Sequence, residues 1–121
     1  MAQKILVVDD SVTVRQMLQF TLTEGGYEVI EAENGEQALK LFENETPDLL
    51  ITDLNMPLMD GITLAGTVRK LPGKRFMPIL MLTTESSEAQ KQAAKSVGAS
   101  GWITKPFKPN QLLSVVKMVL K

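Results

Sequence analysis

The stretch that decides the fold is residues 4–10, which read KILVVDD. Apolar residues followed by carboxylates are typical of a buried strand that ends at a polar site, because an unpaired buried carboxylate costs several kcal/mol. Residues 49–53, LLITD, repeat this arrangement. The carboxyl ends of parallel strands are where ligands bind in an α/β sheet. We therefore expect Asp9, Asp10 and Asp53 to converge at an acidic site.

Apolar runs alternate with helical patterns five times along the chain. The predicted strands are residues 4–8, 28–32, 49–53, 77–83 and 101–104, and the predicted helices are residues 12–24, 35–45, 60–70, 87–97 and 109–120. This alternation predicts an α/β fold with a parallel sheet covered by helices on both faces. No linker, repeat or low-complexity stretch is evident, so we expect a single domain over residues 1–121 with no output domain.

Glycines and a capping pattern mark the less regular helices. Ser87 with Gln90 resembles a capping box, and Gly98 is a natural end for that helix. Gly66 lies inside the predicted helix 60–70, where glycine costs about 1 kcal/mol relative to alanine. That helix is therefore predicted to be the least regular of the five.

The composition excludes several kinds of chemistry. The chain has no cysteine and no histidine, which excludes disulfides, thiol catalysis and imidazole bases or metal ligands. The 44% hydrophobic and 22% charged residues are typical of a globular protein. No apolar run is long enough to span a bilayer, and the N-terminus is too short for a signal peptide. A cytoplasmic protein without a membrane partner is expected.

The net charge of −1 is divided unevenly along the chain. Residues 1–60 hold 3 basic and 12 acidic side chains, which gives −9, whereas residues 61–121 hold 10 basic and 2 acidic side chains, which gives +8. This division indicates either two solvated faces of one fold or a basic docking surface for an acidic partner. Only Trp102 and two phenylalanines interleave with the lysines, and no binding motif accompanies them, so nucleic acid is not an expected partner.

Three neighbouring carboxylates require a cation. They repel one another, and at least one would be protonated without a positive charge nearby. Mg²⁺ suits oxygen ligands and commonly bridges a carboxylate to a phosphate, and Asp53 would then be available as a nucleophile that forms an aspartyl phosphate. The alternative for Asp9 and Asp10 is helix capping ahead of residue 12. Replacing Asp9 or Asp10 by alanine is expected to stabilise the metal-free protein.

Three further side chains lie in or after predicted strands. Lys105 would neutralise phosphoryl charge or be a plain surface lysine, and the proline that follows it can hold a cis bond. The Thr83 hydroxyl would donate to a phosphoryl oxygen, or Thr83 is simply a β-branched strand residue. Trp102, the only tryptophan, serves either core packing or function.

Together these segments resemble the receiver domains of two-component response regulators. The matching stretches are VVDDS at residues 7–11, DLNMPLMDG at 53–61, LT at 82–83 and KPF at 105–107. The resemblance covers the whole chain. It implies a flavodoxin-like, doubly wound sheet of strand order 2-1-3-4-5 flanked by five helices, a fold for which a chemotaxis receiver is a standard example.

The resemblance also implies a metal site. Asp10, Asp53 and the backbone carbonyl of Asn55 would ligate Mg²⁺, and Asp9 would reach the ion through water. Mn²⁺ would substitute for Mg²⁺ at the same site. No other cofactor is implied.

A role for each remaining residue follows from the same resemblance. Asp53 would be the phosphoacceptor, and Lys105 and Thr83 would contact the phosphoryl group. Trp102 stands at the position of the family's aromatic switch, which is usually a tyrosine or a phenylalanine. The larger tryptophan is a departure from the family pattern.

The expected function is therefore a phosphorylation-controlled switch. A histidine kinase would donate the phosphoryl group to Asp53, and Thr83 and Trp102 would then rearrange. The docking face formed by residues 87–97, 101–104 and 109–120 would change shape for a downstream protein. That face carries three lysines: Lys91, Lys95 and Lys108.

Within the family, residues 83–86 and 101–107 resemble the single-domain chemotaxis regulators. This finer likeness implies a monomer that acts on the flagellar motor switch and that a phosphatase resets. A phosphorelay intermediate is the first alternative, and a module that binds its partner without phosphorylation is another. A Mg²⁺-dependent phosphohydrolase is less favoured, because Asn55 stands where many such enzymes place a second aspartate as general acid.

Overall fold

A computed structural model describes residues 2–84 and 88–120. Its five strands are β1 (Lys4–Val8), β2 (Glu28–Ala32), β3 (Leu49–Asp53), β4 (Ile79–Thr83) and β5 (Gly101–Thr104), and its helices are α1 (Val12–Glu24), α2 (Gly35–Leu41), α3 (Gly61–Arg69), α4 (Glu88–Ser96) and α5 (Pro109–Val119). All neighbouring strands are parallel, in the order β2-β1-β3-β4-β5. The predicted doubly wound fold is confirmed.

Several predicted boundaries were wrong by a few residues. The strand predicted at 77–83 begins at Ile79, because Pro78 has no N–H for the ladder and the Met77 carbonyl is bound by Arg69. The helix predicted at 35–45 ends at Leu41, where the following N–H groups turn back to carbonyls three residues earlier as well as four.

The prediction for α1 matches the structure, and those for α3, α4 and α5 differ from it by one residue at one or both ends. Helix α3 spans Gly61–Arg69 rather than 60–70, because Asp60 is its N-cap. Helix α4 is Glu88–Ser96 and helix α5 is Pro109–Val119. The capping box predicted at Ser87 falls outside the described residues.

The core consists of two layers, one on each face of the sheet. Alternate residues of β1 point to opposite layers. Leu6 and Val8 pack in the layer covered by α2, α3 and α4, and Ile5 and Val7 pack in the layer covered by α1 and α5. Strands β3 and β4 are buried at every position. This continuous burial is typical of the central strands of a parallel sheet covered on both faces. In the described part of the chain, no helix is both long enough and apolar enough to cross a membrane.

Strand β2 forms one edge of the sheet and is charged. Glu28 and Glu31 are exposed on it, whereas β3 has no exposed residue. Lys4 Nζ lies 3.5 Å from Glu28 Oε2, and Arg15 Nε lies 3.2 Å from Glu31 Oε1. The edge strand is thus anchored to its neighbours by ion pairs as well as by the ladder with β1.

Four strands deliver polar residues to the same carboxyl edge of the sheet. Asp9 follows β1, and Asp53 and Thr83 are the last residues of β3 and β4. Thr83 is in register with Thr104, the last residue of β5, so Lys105 follows at the same level. The parallel topology therefore gathers residues that are far apart in the sequence.

Candidate functional site

The structure brings the three predicted acids together. Carboxylate oxygens of Asp9, Asp10 and Asp53 all lie within 4.8 Å of one another. Asp9 is fully buried, Asp53 is 6% exposed and Asp10 is exposed. The cluster therefore has a buried floor and one carboxylate that faces solvent.

Asp9 is held on both of its carboxylate oxygens. Oδ1 accepts a hydrogen bond from the Ser11 N–H at 2.9 Å, and Oδ2 lies 2.9 Å from Lys105 Nζ. The capping alternative is taken by Ser11, whose hydroxyl oxygen accepts from the Val14 N–H at 3.2 Å. Asp9 and Asp10 are therefore not the N-cap of α1.

Asp53 is in an environment that disfavours its charged form. Burial, and then the charge of Asp9, raise the pKa of the Asp53 carboxyl above its ordinary value. Lys105 Nζ, 3.4 Å from Asp53 Oδ2, and the backbone N–H of Asn55 lower this pKa, but they do not cancel the rise. Asp53 thus has an unmet requirement for positive charge.

Lys105 bridges two of the acids. Burial alone would lower the pKa of its ammonium group, but the hydrogen bonds and charges of Asp9 and Asp53 outweigh burial and raise it. Its backbone N–H donates to the Thr83 carbonyl at 2.8 Å, which ties the end of β5 to that of β4. The Lys105–Pro106 peptide bond is cis. The ammonium group is therefore charged and fixed beside Asp53.

Thr83 and Trp102 lie near the site in different settings. Thr83 is fully buried at the end of β4. Trp102, on β5, is half-buried, and its ring packs against the core layer of α2, α3 and α4. Its indole Nε1 is buried without a hydrogen-bond partner in the described structure. Trp102 forms none of the ion pairs or hydrogen bonds that hold the acidic cluster.

Gly61 is a site-supporting residue that the sequence did not reveal. Its N–H donates to the Leu54 carbonyl at 2.8 Å, and a Cβ atom there would lie 2.4 Å from the Asp53 carbonyl oxygen. Asp60 caps α3 by accepting from the Thr63 N–H at 2.7 Å. An Asp-Gly pair is a common sequence signal of a turn or a helix start, but only the fold shows that Gly61 lies against the backbone of Asp53.

The chain is similar to proteins of a known family. The family model described as the response regulator receiver domain matches residues 5–117. The chain belongs to this family. Receiver domains are the signalling switches of two-component systems, so the family implies a histidine kinase as one partner and a downstream target as another.

Individual relatives differ in what surrounds the receiver domain. The alkaline phosphatase synthesis transcriptional regulatory protein PhoP of Bacillus subtilis is 42% identical over 121 residues, which are 100% of this chain and 50% of that protein. The chain spans about half the length of the transcriptional regulators it matches. The chemotaxis protein CheY4 of Vibrio cholerae has a solved structure that superposes with a TM-score of 0.96 at 46% identity, covering 99% of this chain and 100% of that one.

A third comparison bears on the metal. The receiver domain of the sensor histidine kinase PA1611 of Pseudomonas aeruginosa, 25% identical with a TM-score of 0.90 over 99% of this chain and 98% of that one, was solved with a magnesium ion in its active-site cleft. Receiver domains bind Mg²⁺ at an acidic pocket. The carboxylates of this receiver domain fit that ion, because Asp10 is exposed and Lys105 only partly offsets the charge of the buried Asp53.

Proposed function

We propose that this receiver domain accepts a phosphoryl group on the carboxylate of Asp53 from a histidine kinase. An Asp53 oxygen forms a bond to phosphorus as the bond from phosphorus to the kinase imidazole nitrogen breaks, and the imidazole leaves. The observation that supports this proposal most directly is the position of Asp53. It ends a buried strand at the carboxyl edge, where the Lys105 ammonium group lies 3.4 Å from its Oδ2 and a carboxylate oxygen of the exposed Asp10 lies within 4.8 Å.

Lys105 and the acids prepare Asp53 for this reaction. The Lys105 ammonium group, already paired with Asp9, offsets charge that develops on the phosphoryl oxygens and stays with the product. Asp10, Asp53 and the Asn55 carbonyl would hold Mg²⁺ or Mn²⁺, with Asp9 acting through water. When bound, the ion keeps Asp53 ionised and shields it from an anionic phosphoryl group.

The phosphoryl group then changes a docking face on the far strands of the sheet. Thr83 ends the strand beside Asp53, so its hydroxyl turns towards the added charge, and Trp102 on the next strand repacks in response. The face consists of α4, β5 and α5. Lys95 and Lys108 are exposed on it. Phosphorylation shifts the protein only by as much as it stabilises one arrangement over the other.

The proposed output is control of a flagellar motor switch by a monomeric, cytoplasmic regulator that a phosphatase resets. The likeness to CheY4 over nearly the whole of both chains supports this choice. A phosphorelay role is the alternative. Binding of phosphorylated protein to a motor-switch protein, with no transfer from Asp53 to a second histidine, would favour the motor over the relay.

Intact-protein mass spectrometry tests the acceptor. The protein is incubated with acetyl phosphate, with Mg²⁺ and with chelator, beside Asp53→Asn and the matched control Asp48→Asn, whose carboxylate binds the Lys4 N–H away from the site. We expect one Mg²⁺-dependent phosphoryl adduct in the wild type and in Asp48→Asn, and none in Asp53→Asn. An adduct that persists in Asp53→Asn would refute the assignment, and multiple turnover of an external phosphate ester would indicate a phosphohydrolase instead.

A further inference from the structure

A groove lies at the amino edge of the sheet, opposite the acidic site. It runs between the end of α3, the loop that leads into β4 and the turn between α4 and β5. Its volume is about 810 Å³. We call this feature the basic groove. Its lining includes Gly66, Arg69, Lys70, Arg75, Phe76 and Gly98.

Arg69 holds the two walls of the basic groove in place. Its guanidinium group donates to the carbonyls of Val97 at 3.2 Å and Gly98 at 2.7 Å on one wall. It also donates to the carbonyls of Lys74, at 3.2 Å, and Met77 on the other. Because these bonds cross-link both loops, the groove has a fixed shape before any ligand binds, which reduces the entropy cost of binding.

Two other cations line the basic groove. Lys70 and Arg75 are exposed, and neither forms an ion pair with any residue that the structure describes. No acidic residue occurs in the whole stretch 61–84. The groove is therefore a locally positive surface, in contrast to the acidic edge of the same sheet.

The basic groove also presents an aromatic ring. Phe76 is 87% exposed, more than any other large apolar side chain in the described residues. The Arg75 guanidinium carbon lies 5.5 Å from the centre of its ring. A ring beside cations and a cleft is the composition of a protein-binding surface, in which aromatic and arginine residues are enriched.

We propose that the basic groove binds an acidic segment of a partner protein. An apolar side chain of that segment packs against Phe76, and its carboxylates lie opposite Lys70 and Arg75. An extended segment suits the groove better than a small molecule, because small-molecule sites enclose most of their ligand and this groove is open to solvent. Nucleic acid is disfavoured because Lys70 and Arg75 are the only exposed cations among the described residues that line the groove, too few for a strong phosphate-binding surface.

This site is separate from the proposed phosphoacceptor, which lies at the opposite edge of the sheet. Partner binding at the basic groove would therefore occur with or without phosphorylation. The comparison of wild type with Asp53→Asn distinguishes the groove from the phosphoacceptor site. Asp53→Asn should lose the phosphoryl adduct, whereas its affinity for a ligand of the basic groove should be unchanged.

Fluorescence anisotropy with a labelled synthetic peptide tests the proposal. The peptide carries six glutamate and aspartate residues around one phenylalanine, and its phenylalanine-to-serine version is the ligand control. The variants are Lys70→Glu/Arg75→Glu and Phe76→Ser, and the control pair is Lys40→Glu/Gln19→Glu, which adds negative charge at exposed positions of α2 and α1, outside both the groove and the docking face. Thermal melts verify that each variant is folded.

We expect the charge reversal at the groove to weaken binding by about tenfold or more, the control pair by less than about twofold, and Phe76→Ser by about threefold to tenfold. Amide shifts on titration should appear at Gly66 and Gly98. Absence of saturable binding, equal losses in the groove pair and the control pair, or amide shifts confined to α4–β5–α5 would overturn the proposal. Tighter binding of a single-stranded oligonucleotide through the same residues, or self-association of the chain through the groove, would also overturn it.

Discussion

Asp9 and Asp10 are neighbours in the chain with opposite surroundings. The Asp9 side chain is buried between the Ser11 N–H and the Lys105 ammonium group, whereas Asp10 is exposed and forms no hydrogen bond or ion pair among residues 2–84 and 88–120. Charge repulsion alone suggested that loss of either acid would stabilise the metal-free protein. Because Asp9 pairs with Lys105, its loss removes a stabilising contact as well as repulsion, whereas the loss of Asp10 removes repulsion alone.

Loss of the Asp9 carboxylate and loss of the Asp10 carboxylate should change the free energy of unfolding in opposite directions. In chelator, Asp9→Ala should lower the free energy of unfolding by about 1–3 kcal/mol, because it removes the acceptor of a backbone N–H and leaves a largely buried ammonium group with a weaker partner. Asp10→Ala should raise the free energy of unfolding slightly, because it only removes repulsion. Urea denaturation of both variants measures the difference, and stabilisation by both would contradict the role given to Lys105.

The raised pKa of Asp53 leads to a pH-dependent prediction. Between the ordinary carboxyl pKa and the raised folded pKa, the folded state binds more protons than the unfolded state, so stability falls as pH rises through this window. The loss is complete above the folded pKa. Asp53→Asn, which has no charge to bury, should therefore have a higher melting temperature than wild type at neutral pH in chelator.

The advantage of Asp53→Asn should shrink as pH is lowered towards the ordinary pKa of an aspartate. Melting temperatures of both proteins across the acidic range measure it. Asp48→Asn, at an exposed position, is the control for the change in net charge. A difference that stayed constant with pH would mean that the Asp53 charge is not the cause.

At the scale of elements, the contact of α3 with β3 is set by a single missing side chain. Gly61→Ala would place a Cβ atom 2.4 Å from the Asp53 carbonyl oxygen and 3.1 Å from Leu54 Cα, so the helix must shift. We expect a loss of about 1–3 kcal/mol in the free energy of unfolding. Phosphorylation by a small-molecule donor should also slow, because the backbone of Asp53 moves.

Gly66→Ala is the matched control in the same helix. A Cβ atom there would meet only Val97 Cγ1, at an ordinary 3.6 Å. Alanine should stabilise the helix by up to about 1 kcal/mol. Chemical denaturation of both variants tests the contrast, and similar effects would show that the close approach at Gly61 does not matter.

The elements were predictable from the sequence to different degrees. The five strands and the three acids were predicted because apolar runs and their terminal carboxylates are local signals. The predicted end of α2 and the predicted start of β4 were wrong. Both boundaries depend on which carbonyl groups accept hydrogen bonds in the folded chain, and the sequence does not show this. Three contacts join segments that are distant in the sequence and therefore could not be predicted from it. They are the ion pair of Asp9 with Lys105, the close approach of Gly61 to Asp53, and the hydrogen bonds of Arg69 to the two loops of the basic groove.

At the scale of the whole molecule, ligand binding at the acidic cluster should be coupled to stability. An ion that binds only the folded state raises the free energy of unfolding, by about 2.7 kcal/mol at about 100 times its dissociation constant. We therefore expect the melting temperature to rise progressively with Mg²⁺. Salt at equal ionic strength is the control for screening.

The same titration with Asp10→Ala should lose most of the rise, since the exposed carboxylate is the one with no protein partner. The variant Lys117→Glu changes a charge away from the acidic cluster, so it should keep the Mg²⁺-dependent rise in melting temperature. A rise of equal size in Asp10→Ala would mean that Mg²⁺ acts elsewhere on the acidic half of the chain.

The charged edge strand β2 has a consequence for how copies of this protein behave in a crowded solution. An unpaired strand edge is a template for joining another sheet, and charged side chains along it discourage that joining. Glu28 and Glu31 are exposed there and form ion pairs with Lys4 and Arg15, so a second strand that added to this edge would have to displace hydrated charges. The charged edge therefore protects the protein against edge-to-edge aggregation.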